Sequence, residues 1–179
     1  MPDVDLRPFI KAFDEKKTLK KCNFLITPGE NALFLAFISK GSFRVFFYNE
    51  KGQDITTWFA FQNMWITDLL AFYKNCHASY YVQAIENSEV YIIQKSKLEE
   101  LYKKHKDYLI FAKNFAEVGM VIMLERANHI FQEYSAEERY IKLLKTPILK
   151  HNVPLKHIAT FLGITETSLS RIRRKITKR

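Results

Sequence analysis

The chain is poor in the residues that build disulfide frameworks, metal cages and flexible tracts. Its 179 residues include two cysteines, five glycines and five prolines. Two cysteines are too few for a disulfide framework, a four-thiolate zinc site or an iron–sulfur cluster. We expect Cys22 and Cys76 to behave as small buried apolar residues. The low content of glycine and proline excludes collagenous and low-complexity chains, so the sequence predicts a globular protein.

Signals for membrane insertion, export and catalysis are also missing. No segment approaches the roughly 18 apolar residues that a membrane span needs, and the first residues contain no apolar stretch of signal-peptide length. The five histidines are scattered without a His-x-His pair, and neither a phosphate-binding loop nor a Gly-x-Ser-x-Gly motif is present. We therefore expect a cytoplasmic protein with no membrane partner, no metal, no cofactor and no catalytic activity.

Basic residues outnumber acidic ones, and the excess is concentrated at one end. The chain has 28 lysines and arginines, 19 acidic residues and a net charge of +9. Residues 135–179 contain 11 of the basic residues and only three acidic ones. Nearly all of the net charge therefore belongs to this segment, which makes it the candidate for binding a polyanion.

Five segments between residues 18 and 95 have the composition of β-strands. They are rich in β-branched and aromatic residues and are separated by turn sequences at 27–30 and 49–52. Strict alternation along 53–61 predicts two faces: Ile55, Thr57, Phe59 and Phe61 on one, and Thr56, Trp58 and Ala60 on the other. Several short strands at this spacing predict a sandwich or barrel, and with the helices that follow the fold class is α+β.

A helical pattern begins after the strands. Ser96 is predicted to open a short helix through a capping box with Glu99, and Asp107 to cap the next helix. That helix runs over residues 107–134 without a proline and has apolar residues on more than one face. We expect the stripe Phe111, Phe115, Val118 and Ile122 to form a dimer seam. The alternative is that this helix is covered wholly by its own chain.

The basic segment has the spacing of a helix-turn-helix. Ser135 and Glu138 form a second capping-box pattern, Pro154 stands where a helix begins, and Gly163 permits a left-handed turn between two short helices. Thr165 is expected to cap the second helix, and Leu169 to anchor it. Its outer face predicts the DNA contacts Thr165, Glu166, Thr167, Ser170, Arg171, Arg173, Arg174, Lys175 and Lys178. In this prediction Arg171 pairs with a guanine edge, and the later cations neutralise phosphates.

The order of these parts resembles the Crp/Fnr (catabolite activator) family of bacterial transcription regulators. The resemblance rests on the Pro28-Gly29-Glu30 turn, on Gly41, on the segments NMWITDLLAFY and SYYVQAIENSEVYIIQKSKLEEL, and on the C-terminal helix-turn-helix. It implies a β-roll (jelly-roll, cyclic-nucleotide-binding-like) sensor domain with flanking helices over residues 1–105. It also implies a long connecting and dimerisation helix over 106–134 and a helix-turn-helix domain over 135–179. Glu166 and Thr167 stand where many relatives have arginine and glutamate, so we expect a different operator.

The resemblance also indicates where an effector would bind. Cyclic-nucleotide sensors of the family use a Phe-Gly-Glu stretch followed by Arg-Ser, and Asp68 and Ser79 fall at the glutamate and serine positions. The phosphate-binding arginine is replaced by Ala78, so we expect no ordinary cyclic-nucleotide binding. The candidate effector pocket contains Asp68, Lys74, His77 and Ser79. Lys74 or His77 could replace the missing cation only if the loop folded differently.

Together these features predict a homodimeric, sequence-specific DNA-binding transcription regulator. Its expected partners are double-stranded DNA, a second copy of itself, RNA polymerase and an unknown small-molecule effector. The first alternative is a small-molecule sensor or interaction module whose basic tail is incidental. The second alternative, a cupin-like enzyme, lacks the histidine pattern of its metal site.

Overall fold

A computed structural model describes residues 5–131, 134–146 and 153–177. The strands are β1 Glu15–Leu19, β2 Phe24–Ile26, β3 Phe34–Lys40, β4 Ser42–Tyr48, β5 Asp54–Phe61, β6 Trp65–Ile66, β7 Tyr81–Ala84 and β8 Ser88–Gln94. The helices are α1 Arg7–Lys11, α2 Leu69–Lys74, α3 Lys95–Lys104, α4 Lys106–Phe131, α5 Ala136–Leu144, α6 Leu155–Phe161 and α7 Glu166–Thr177. This mixed architecture confirms the α+β class.

The strands form a sandwich of two antiparallel sheets. One sheet has the order β1-β8-β3-β6 and the other the order β2-β7-β4-β5. Their inner faces meet in a core of fully buried side chains that includes Ile38, Phe43, Val82 and Val90. Each such side chain contributes on the order of 1.5–3 kcal/mol by leaving water, so this core holds the two sheets together. The predicted sandwich is confirmed.

Strand β5 departs from the alternation that its sequence predicts. Val45 pairs with Trp58 whereas Phe46 pairs with Thr56, so Thr57 is an extra residue between two consecutive pairs. A bulge of this kind reverses the facing of the residues beyond it. Thr56 therefore shares a face with Phe59, and the prediction that they lie on opposite faces is wrong.

The β3–β4 turn requires glycine for a steric reason. Gly41 has φ +92°, and a Cβ built on it would overlap Ser88 Oγ and lie 2.8 Å from Ser88 Cα. Only a residue without a side chain permits this approach between the turn and β8.

Several local predictions are wrong in detail. α3 begins at Lys95 with Gln94 as its N-cap and no side-chain cap bond, so the capping box at Ser96 does not form. α4 begins at Lys106, which places Asp107 in its first turn rather than at its cap. Cys22 and Cys76 are exposed, because one lies in the tight β1–β2 turn and the other just beyond α2.

The predicted capping box of α5 is confirmed. Ser135 Oγ accepts a hydrogen bond from the Glu138 backbone N–H, and the Glu138 carboxylate accepts from the Ser135 backbone N–H. This reciprocal pair satisfies two of the amides that a helix start leaves without intrahelical partners.

The long helix α4 is 26 residues long and exposes much apolar surface. Met120, Val121, Ile122, Met123 and Leu124 are all exposed. Four successive residues already surround a helix, so the apolar surface faces every direction here. Of the predicted seam, Ile122 is 43% exposed, whereas the side chains of Phe111, Phe115 and Val118 lie outside the described part of the structure.

The last three helices share one apolar cluster with the sandwich. Leu143 of α5, Ile158 of α6 and Leu169 of α7 are buried together. Phe59 and Phe61 of β5 belong to the same cluster, so the C-terminal helices pack against the β2-β7-β4-β5 sheet. The division into domains at residues 105 and 134 stays a prediction.

Candidate functional site

Helices α6 and α7 are joined by a tight turn that has the expected geometry. Pro154 is the N-cap of α6, and Gly163 adopts the left-handed φ of +68° after the helix ends. Thr165 Oγ1 accepts a hydrogen bond of 3.2 Å from the Ser168 backbone N–H, which caps α7. The predictions that Pro154 starts the first helix, that Gly163 forms the turn and that Thr165 caps the second helix are confirmed.

Helix α7 is amphipathic, with one face anchored and the other in solvent. Leu169 is fully buried against α6, and Ile172 and Ile176 pack against the same cluster. The predicted contact residues on the free face are Glu166, Thr167, Arg171, Arg173 and Arg174, all exposed, and Ser170, half-buried. Arg171 lies in the middle of α7, and Arg173 and Arg174 lie toward its C-terminal end. This face can donate hydrogen bonds and present positive charge to a polyanion.

The remaining predicted contacts differ in their surroundings. The Thr165 hydroxyl serves as the cap of α7 and also donates to Ser168 Oγ at 2.9 Å. Lys175 Nζ lies 2.6 Å from Glu137 Oε2 of α5 in a salt bridge. Lys178 lies outside the described residues. The surface that is free to meet a ligand is therefore centred on Arg171 and Arg174 rather than on Lys175.

A buried polar cluster joins α6 to the sandwich. Arg44 of β4 is 4% exposed. Its Nη1 donates to Asp54 Oδ2 at 2.8 Å and lies 2.7 Å from His157 Nδ1 of α6. Its Nε donates to Gln83 Oε1 at 3.0 Å, and its guanidinium lies 3.8 Å from the Phe46 ring centre. The charge thus has partners on two strands and on the helix.

The protonation of His157 follows from these neighbours. Burial, and then the positive charge of Arg44, lower the pKa of His157 to about 4. His157 is therefore neutral at pH 7, and its Nδ1 accepts the hydrogen bond from Arg44. Burial also lowers the pKa of Arg44, against the opposing effect of Asp54. We call Arg44, Asp54 and His157 the interdomain triad.

Further contacts surround the interdomain triad. Thr160 Oγ1 accepts from the Thr56 backbone N–H at 3.3 Å and donates to Thr56 Oγ1 at 3.2 Å. The rings of Phe59 and Phe161 lie 5.1 Å apart. Sequence patterns do not predict this contact, although a lone arginine inside the apolar strand FRVFF is a signal that a buried charge needs a partner.

The Asp68 carboxylate is fully occupied by the backbone around it. Its Oδ1 accepts from the N–H groups of Leu70 and Ala71, and its Oδ2 accepts from those of Ser79 and Tyr80. Asp68 is 1% exposed. It caps α2 and ties this helix to the start of β7, so its oxygens are turned away from solvent.

The other residues of the predicted effector pocket do not converge. Lys74, His77 and Ser79 are exposed, and Ala78 is buried with its backbone bonded to the 29–30 turn. Ser79 alone of the four lines a hollow of about 430 Å³, whose wall is mostly aromatic. The hollow is lined by Pro28, Phe47, Tyr48, Leu70, Ser79, Tyr80 and Tyr81. No charged side chain is among these lining residues.

Comparison with known proteins assigns the sandwich to a known domain family. Residues 16–105 match the family model of the cyclic nucleotide-binding domain. This chain belongs to the cyclic nucleotide-binding domain family. No curated protein sequence matches the chain significantly.

Three solved structures share this fold over 92% or more of the chain. The c-di-GMP responsive global regulator CLP from Xanthomonas campestris has 12% sequence identity and a TM-score of 0.75, with 97% of this chain and 90% of that chain covered. FixK2 from Bradyrhizobium japonicum has 15% identity and a TM-score of 0.75, with 92% and 84% covered. The catabolite activator protein of Thermus thermophilus has 15% identity and a TM-score of 0.58, with 99% and 85% covered. The chain therefore has the fold of the Crp/Fnr regulators.

Within the cyclic nucleotide-binding domain family, the resemblance implies an arginine where this chain has Ala78. A cyclic phosphate would find no guanidinium there, and the backbone N–H groups of Ser79 and Tyr80 already donate to Asp68. The hollow beside them offers aromatic faces and hydroxyls instead of charge. The domain belongs to the cyclic nucleotide-binding domain family, and Ala78 differs from the arginine that the resemblance implies at this position.

Residues 5–131, 134–146 and 153–177 contain no group of three or more potential metal ligands. None of their helices is both long and apolar enough to cross a membrane.

Proposed function

We propose that the protein is a homodimeric transcription regulator that binds specific DNA sequences through α7. The observation that carries the proposal is the free polar and cationic face of α7, held outward by the burial of Leu169 on the opposite side. A helix presented in this way fits the major groove of B-DNA. The likeness to Crp/Fnr regulators supports the proposal and a role other than catalysis.

The exposed arginines have different roles in this proposal. Arg171 reads a guanine edge through two hydrogen bonds, whereas Arg173 and Arg174 bind phosphates. Glu166 and Thr167 lie at the N-terminal end of α7, which in such motifs lies closest to the bases. Lys175 contributes less than its charge suggests, because it is paired with Glu137.

The experiment begins with genomic footprinting, which yields the operator. Arg171→Ala is then measured on the operator and on random DNA, with Arg7→Ala as the control, since Arg7 is an exposed arginine of the sensor domain. We expect Arg171→Ala to cost about 1–3 kcal/mol on the operator and to relax preference at one base pair per half-site. An equal loss on operator and random DNA would contradict the reading role of α7.

Dimerisation through α4 is supported by the apolar surface at 120–124. An isolated helix that is apolar on all sides needs more than one neighbour, and a second copy supplies one. We expect Val118→Glu with Ile122→Glu to convert the dimer into monomers, because like charges would meet in a contact without water. Light scattering that found a monomeric wild type would contradict this part of the proposal.

The hollow at Tyr80 and Tyr81 supports a second candidate function, the sensing of a small molecule. Its lining favours a ligand with an apolar or aromatic body rather than a phosphate, because no cation lines it. A thermal-shift screen of uncharged aromatic compounds tests this, with Tyr80→Ala as the variant that should lose any shift. RNA polymerase as a partner stays a prediction from the family resemblance.

A further inference from the structure

The contact between α6 and the sandwich buries the charged guanidinium of Arg44, which the apolar core does not require for its packing. Arg44 lies in β4 on the face that α6 covers, and only 4% of its surface is exposed. If α6 moved away from the sheet, Arg44 and Asp54 would be exposed to water, and they would remain paired with each other. Burying such a pair costs desolvation energy that the ion pair roughly offsets, so the interdomain triad adds little net stability.

The interdomain triad instead restricts the orientation of α6 on the sheet. A guanidinium donates in one plane and at fixed angles, so its bonds to Asp54, Gln83 and His157 allow one placement of α6 on the sheet. Thr160 adds a second point of attachment through Thr56. Two separate polar attachments restrict both sliding and rotation of the helix, which apolar packing alone would permit.

The docked arrangement leaves the reading face of α7 open. α6 contacts the sheet with its own residues: His157 bonds to Arg44 of β4, and Phe161 packs against Phe59 of β5. Arg171 and Arg174 on α7 remain exposed in the same state. Docking therefore orients α7 and does not cover it.

We infer that Arg44 and His157 are positioning residues that set the distance between the two DNA-reading helices of the dimer. The inference rests on the proposed function and concerns its geometry. Two reading helices must enter grooves about one helical turn apart, roughly 34 Å. If each α7 is held rigidly on its own sandwich, the dimer accepts one half-site spacing and rejects others.

The test measures affinity as a function of half-site spacing. Full-length protein is titrated against operators with the native spacing, with one or two base pairs inserted or removed, and against a single half-site. The variants are His157→Leu, which removes the acceptor for Arg44, and His157→Asn, whose side-chain oxygen can accept in the position of Nδ1. Thr160→Val tests the second attachment. Arg7→Met is the control, because it removes an exposed Arg–Asp pair that has the same 2.8 Å length.

We expect His157→Leu to bind a single half-site as tightly as wild type does. On the native operator it should lose about fivefold to tenfold in affinity, with a flatter dependence on spacing, as expected for the loss of a coupling between domains. Thr160→Val should act in the same direction, whereas His157→Asn and Arg7→Met should keep the spacing preference of the wild type.

Three results would overturn the inference. One is an unchanged spacing preference in His157→Leu and Thr160→Val. The second is an equal loss on the single half-site, which would show a purely structural role. The third is a flattened preference in His157→Asn as well, since the acceptor would then be irrelevant. A wild type that binds no DNA would instead contradict the proposed function, so the two failures are distinguishable.

Discussion

Replacing Asp68 with asparagine separates a structural role from a ligand-binding one. The two Asp68 oxygens accept four backbone N–H groups at 2.8–3.2 Å, two from the start of α2 and two from the start of β7. Asparagine has nearly the same shape but only one oxygen. Its NH₂ group must face either the α2 amides or those of Ser79 and Tyr80, so donor meets donor on one side.

The magnitude follows from the two hydrogen bonds that are lost. A hydrogen bond to a charged group contributes about 1.5–3 kcal/mol, and the neutral amide recovers part of the desolvation cost of the carboxylate. We therefore expect Asp68→Asn to lower the free energy of unfolding by about 3 kcal/mol. Urea unfolding followed by tryptophan fluorescence measures this in the sandwich, because Trp58 and Trp65 both lie in its strands.

The control for this experiment is Glu30→Gln. Glu30 is an exposed carboxylate that accepts one backbone bond, from Thr27 at 2.9 Å. We expect it to cost well under about 1 kcal/mol. An Asp68→Asn variant as stable as wild type, or one destabilised no more than Glu30→Gln, would refute the structural role of Asp68. It would favour Asp68 as a group reserved for an effector.

Three further predictions concern stability, pH and ligands. Gly41→Ala should lower the unfolding free energy by more than about 2 kcal/mol, because it adds a clash with Ser88 to backbone strain, whereas Gly52→Ala meets no atom within 4 Å and should cost less. His157 has a folded pKa of about 4, below its usual 6.5, so the undocked state binds more protons between these values. Protonation of His157 therefore does not affect stability above pH 6.5, and it lowers the free energy of unfolding as the pH falls toward 4. Melting curves should show wild type losing about 1.5 kcal/mol more than His157→Asn between pH 6.5 and 5. Arg44 and Lys156 oppose protonation and Asp54 favours it. Cyclic AMP and cyclic GMP should leave the melting temperature unchanged, because Ala78 replaces the phosphate-binding arginine that the resemblance implies. Calorimetric binding in the micromolar range would contradict this prediction.

Local sequence signals determined the helix-turn-helix and most of the element order. Gly163, Thr165 and Leu169 act within one turn and two helices, so their roles depend on neighbours a few residues away. The same holds for the capping box at Ser135. Short-range features of this kind can be predicted from the spacing of residue types, without knowledge of the fold.

Predictions from the sequence were wrong where the environment of a residue depends on a segment that is distant along the chain. The bulge at Thr57 depends on how β5 pairs with β4, and strand periodicity alone does not contain that information. Without the bulge, Thr56 would face the opposite side and could not meet Thr160. Asp68 is predicted to bind a ligand because it falls at the glutamate position of the family motif. Its donors Ser79 and Tyr80 lie 11 and 12 positions away, so local spacing does not indicate its structural role.

The fold family and the helix-turn-helix were thus determined by the sequence, whereas the placement of α6 on the sheet was decided by tertiary structure. Arg44 and His157 are 113 positions apart and share no motif. Their contact exists because a folded sheet and a separate helix bring a donor and an acceptor together in a place that excludes water. A long-range hydrogen bond of this kind depends on distance in space, which only the folded chain defines.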